Sequence, residues 1–187
     1  MTTETNLTQL HDIIVATLRA QFPAMKAVEF YREGQDGREP LRAEDLPACI
    51  LDLTELEEDP EEEPGTGQLA ARFRFEADLV LPFRALRSKL AIRLQAASFA
   101  SYLRKQSRWP GINQAGRIEA INAYRSDFQP ELDQYEVWRV EWRQLLHIGT
   151  DVWADLPGSP GTPSTVFLGE FPEIGPGNEP NYDQVAP

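Results

Sequence analysis

The chain has 187 residues, 41% of them hydrophobic and 10% aromatic, enough to bury one domain's core without disulfides or a structural metal and too apolar for wholesale disorder. Lys and Arg number 18 against 30 Asp and Glu, and the resulting net charge of -12 disfavours binding to nucleic-acid backbones and to anionic membranes. The single cysteine, Cys49, excludes an internal disulfide, and its apolar neighbours Ala48, Ile50 and Leu51 mark it as a buried, inert thiol.

Thr2 to Gln9 is polar and lacks a signal-peptide pattern, and no apolar run approaches the roughly 20 residues of a membrane span, so synthesis and assembly in a cytoplasm are expected. Leu7, Leu10, Ile14 and Leu18 recur at spacings of three and four, which predicts a helix over 5–21 with Thr5 or Asn6 as its cap and Phe22-Pro23 as its end. A short strand over 27–31 follows, then a polar loop from Gly34 to Glu44 and a second strand over 48–56. The stretch that follows carries Glu57, Glu58, Asp59, Glu61, Glu62 and Glu63 among prolines and glycines, and reads as a solvated loop.

From Leu69 to Leu81 apolar residues alternate with Arg72, Arg74, Glu76 and Asp78. Period two predicts a strand with one buried and one polar face, about 43 Å long at roughly 3.3 Å per residue. Such a strand exceeds a small domain, so the acidic loop is expected at the tip of a protruding hairpin. A second helix is predicted over 86–106 with two apolar stripes, Leu86, Leu90, Leu94 and Ala97 on one and Ile92, Ala96, Phe99 and Leu103 on the other. One stripe faces the sheet; the other meets either the first helix or a neighbouring subunit. Strands over 118–125 and 135–147 follow, the latter with Trp138, Val140 and Trp142 on one face and Val137, Arg139, Glu141 and Arg143 on the other, joined through a turn at 127–133.

Beyond Gly149 the composition changes. Pro157, Pro160 and Pro163 exclude regular structure around them, whereas Phe167, Leu168, Phe171, Ile174 and Tyr182 are too many apolar anchors for a spacer. The chain is therefore read as an α+β domain over 1–148 and an extended arm over 149–187 that packs on another chain. The domain is expected to hold an antiparallel sheet of four or five strands with both helices on one face. Ile92, Phe99, Leu103, Phe167, Leu168, Phe171, Ile174 and Tyr182 are the candidate subunit-interface residues.

Signals of chemistry are sparse. His11 and His147 have no second ligand at metal-binding spacing, the glycine-rich stretches at 158–161 and 169–177 precede no helix, and no nucleophile elbow is present. The acidic cluster at 57–63 lacks the fixed geometry that acid–base catalysis requires. Neither an enzyme nor a cofactor or metal is expected.

The order helix, strand, long hairpin, helix, hairpin, arm resembles that of tail terminator proteins of long-tailed bacteriophages. The run Val-Phe-Leu-Gly-Glu-Phe-Pro-Glu-Ile-Gly-Pro-Gly-Asn-Glu-Pro-Asn-Tyr at 166–182 resembles the tails of a Mu-like phage family. The run Leu-Arg-Ser-Lys-Leu-Ala-Ile-Arg-Leu at 86–94 and the Trp-Pro-Gly at 109–111 add to it. The resemblance implies a hexameric ring at the head-proximal end of the virion tail. The ring caps the tail tube, ends its polymerisation, and joins the tail to head–tail connector proteins. DNA would slide through its lumen without specific binding, helped by repulsion from the acidic loop. The long proline-rich tail departs from the family pattern and leaves room for a partner outside the ring. A tube or connector subunit is the alternative reading, and an acidic DNA-mimic inhibitor is a further one, disfavoured because the carboxylates cluster in one loop.

Overall fold

A computed structural model describes residues 6–32, 41–83, 87–112, 115–126, 135–152, 166–169, 177 and 182–185. The amphipathic amino-terminal run folds as α1 (Leu7–Gln21), capped by the Asn6 side chain, which accepts a hydrogen bond from the Gln9 amide at 2.8 Å. The strands β1 (Ala27–Phe30), β2 (Ala48–Glu58) and β3 (Leu69–Pro82) come next, followed by α2 (Ser88–Gln106), β4 (Ala115–Arg125) and β5 (Tyr135–Ile148). Two short strands, β6 (Val166–Leu168) and β7 (Asp183–Val185), lie in the tail.

The fold is α+β, with five strands in the order β1-β2-β3-β5-β4. The sheet is mixed, not purely antiparallel, because β1 runs parallel to β2, from Ala27 beside Ala48 to Phe30 beside Leu51. The long link 31–47 returns the chain to the end of the sheet where β1 began, which a tight hairpin turn cannot do. All other pairs in this sheet are antiparallel.

Both helices cover one face. Leu10, Ile14 and Leu18 of α1 and Ile92, Ala96, Phe99 and Leu103 of α2 share a core with Phe73, Phe75, Ala77, Leu79, Val140 and Trp142. Phe75 stacks on Trp142 with ring centroids 5.3 Å apart, and Phe22, just past the end of α1, stacks on Phe99 of α2 at the same distance. The Arg93 guanidinium lies over the Trp138 ring, 5.1 Å from its centroid, and ties the first half of α2 to the start of β5. On the opposite face a smaller core of Leu46, Ala48, Val80 and Val137 is covered by the segment around Leu41, whose carbonyl accepts a hydrogen bond from the Tyr135 hydroxyl at 2.9 Å.

Two expectations change. The long hairpin is no free-standing ribbon: β5 is as long as β3 and pairs with all of it, from Leu69 beside Ile148 to Pro82 beside Tyr135, satisfying the backbone that a lone ribbon would expose. The tail, expected as an extended arm, contains an antiparallel pair, β6 with β7, registered from Val166 beside Val185 to Leu168 beside Asp183. The prolines at 157–163, the link 127–133 and Leu86 lie outside the described residues, as does the 34–40 part of the predicted polar loop; its later part holds a 3-10 turn, Ala43–Asp45.

Candidate functional site: a charged sheet face and an acidic hairpin end

The alternation along β3 sends Arg72, Arg74, Glu76 and Asp78 to the face away from the helices, and the β3–β5 register sets Arg139, Glu141 and Arg143 beside them. Arg139 grips Asp78 through two nitrogens, each at 2.8 Å, and reaches Glu76 at 2.5 Å. Arg74 bonds Glu141 at 2.5 Å and lies 3.7 Å from Glu76 and 3.9 Å from Glu55. Arg143 approaches Glu55 at 3.7 Å, and Arg72 bridges Asp59 at 2.7 Å and Glu119 at 2.6 Å. Tyr124 and Asn122 of β4 donate to Glu141 at 3.0 and 3.1 Å. The result is a ladder of alternating charge across four strands.

Its electrostatics follow from shared burial. Hydrogen bonds donated to Asp78 hold the Arg139 proton far more tightly than usual, against the desolvation that works to release it. At Glu141 desolvation opposes ionisation, yet the bonds from Arg74, Asn122 and Tyr124 prevail and hold the carboxyl below its ordinary value. Each of the four arginines faces at least one carboxylate, so this face offers no basic footprint for a phosphate backbone.

The ladder runs into the acidic hairpin end. Glu57 and Glu58 are exposed residues of β2 itself, and Glu61, Glu62 and Glu63 are exposed in and after a 3-10 turn (Pro60–Glu62). Asp59 departs from the solvated group: Arg72 holds its side chain, and its amide donates to the Ala70 carbonyl at 2.9 Å. Sequence reasoning placed the ladder residues of β3 and β5 on their strand faces but not with each other; opposite charges at every second position of two strands were the available signal.

The expected interface residues divide. Ile92, Phe99 and Leu103 are fully buried in the chain's own core, which removes them from any surface that a second chain could reach. The other stripe of α2 faces solvent instead, with Leu90, Leu94 and Ala97 exposed. Leu168 is exposed, Tyr182 is half-buried, and Phe167 contributes backbone to β6, while Phe171 and Ile174 lie outside the described residues. Among the described residues no three His, Cys, Asp or Glu side chains stand close enough to hold a metal ion, and no helix is long and apolar enough to cross a membrane. Burial pushes the Cys49 thiol far above its ordinary value, with a smaller push from Asp78. A depression on the outer side of α1, between Gln9, Asp12, Ile13 and Ala16, is open and shallow.

No family model matches the chain, and no curated protein is significantly similar to it.

Proposed function

We propose that this protein is a non-enzymatic structural subunit that assembles with copies of itself, and that it serves as the tail terminator of a long-tailed bacteriophage. The observation that carries self-assembly is that, among the described residues, the sheet has strand length without a strand partner at both edges. β1 pairs with β2 only as far as Leu51, so among these residues the remaining length of β2 is one such edge, and β4 is the other. The narrower reading rests on the likeness of residues 86–94, 109–111 and 166–182 to the Mu-like family. In it, a ring of six copies closes over the tail tube, and DNA passes through its lumen.

Light scattering of the full-length protein tests the reading, across concentration and with added tail tubes. A discrete species of about six subunits, formed alone or on tube ends, supports a terminator. Open-ended growth would assign the chain to the tube instead. A monomer indifferent to tubes would overturn self-assembly and favour the inhibitor reading.

A further inference from the structure

The forty residues from Leu79 to Ile118 contain no Asp or Glu but eight Lys and Arg, in a chain of net charge -12. α2 lies within this span. Arg87, Lys89, Arg93, Arg104 and Lys105 are exposed along it, and among the described residues none of them is paired with a carboxylate, unlike the ladder arginines. Between these cations lie Leu90, 51% exposed, and Leu94, 63% exposed. A helix face that is both cationic and apolar suits an occupant that is both anionic and apolar.

The hairpin end of the sheet has that chemistry. Leu56 and Leu69 share the helix-side face with Phe73 and Ile148, yet they are 48% and 39% exposed because the helical layer stops short of them. Glu57, Glu58, Glu61, Glu62 and Glu63 surround them, all exposed. This end cannot fold back onto α2 of the same chain. Arg93 over Trp138 fixes the first half of α2 beside Leu79 in the sheet register, ten residues of β3 from Leu69, or roughly 33 Å at 3.3 Å per residue.

We infer that the outward face of α2, centred on Leu90 and Leu94, docks the acidic hairpin end of a second copy, centred on Leu56 and Leu69. The contact is head-to-tail, because two different surfaces at opposite ends of the sheet meet. Repeating it gives a closed ring if the rotation closes and a filament if it does not. The inference rests on the self-assembly reading and specifies which surfaces carry it.

The test uses two charge-reversed forms of the full chain, Arg87→Glu with Lys89→Glu, and Glu58→Lys with Glu61→Lys. Thermal melts first establish that both fold. Each form alone should lose self-association by at least about tenfold, and an equimolar mixture should regain it, since each reversed surface then meets a reversed partner. A second pair, Leu90→Ser with Leu94→Ser, should weaken association without restoration by either charge variant. If the wild type forms a discrete oligomer that all these variants retain, the docking inference fails while self-assembly stands. If the wild type stays monomeric at every concentration, self-assembly itself fails. Binding of a short DNA duplex that disappears with Arg87→Glu and Lys89→Glu, with the oligomer unchanged, would instead make α2 a nucleic-acid surface and overturn the inference.

Discussion

At Arg139 the guanidinium meets two carboxylates that are themselves nearly buried, Glu76 and Asp78. Removing it takes their shared guanidinium from both in a poorly solvated site, so Arg139→Ala should cost about 3–5 kcal/mol, measured by urea unfolding. Arg139→Met with Glu76→Gln and Asp78→Asn should recover much of that loss, because the desolvation penalty disappears with the charges. Two other groups contribute to the pH response. His11 stacks on Phe30 with centroids 3.9 Å apart, and burial lowers its pKa below 6.5 against a smaller opposing pull from Asp12. Glu141 titrates below 4.5. In both cases the unfolded chain takes up the proton first, so stability declines as pH falls, first below about 6.5 and again below about 4.5. His11→Gln should flatten the upper stage and Glu141→Gln the lower one, read from denaturation midpoints between pH 8 and pH 3, roughly the range over which such groups titrate.

Among the elements, α2 separates what a periodicity can and cannot say. Both of its apolar stripes were legible from spacings of three and four, but the choice of Ile92, Phe99 and Leu103 as interface residues put the buried stripe outside. Spacing along a helix defines its faces and not their neighbours; the sheet's position decides which is covered. Leu103→Ala should therefore cost about 2–5 kcal/mol of folding stability and Leu94→Ala no more than about 0.5 kcal/mol, a contrast that thermal melts of the two variants would resolve. β3 was the most legible element because period-two alternation leaves little freedom in a strand's orientation. The parallel placement of β1 was not legible, since strand direction depends on where a long link returns the chain.

For the whole molecule, charge is divided. Among the described residues, paired charges occupy the sheet face, acids without an ion pair the hairpin end, and bases without one the outside of α2. If the last two meet between copies, raising the salt from about 0.05 M to 1 M should weaken the oligomer, because the screening length falls to about 3 Å. Light scattering at the two ionic strengths would show this, and an oligomer strengthened by salt would indicate a purely apolar contact. The α+β class, the extents of both helices and the faces of β3 and β5 follow from local periodicity, because a residue's side of a helix or an unbulged strand is set within a few positions of chain; the bulges of β4 break its alternation. The acidic character of the hairpin end is also set locally. Tertiary structure alone decided that Asp59 leaves the solvated acids for Arg72, that β5 runs the full length of β3, and that Leu90 and Leu94 remain uncovered. Each depends on which distant segments meet, and pairing energies between such segments have no local signature in the sequence.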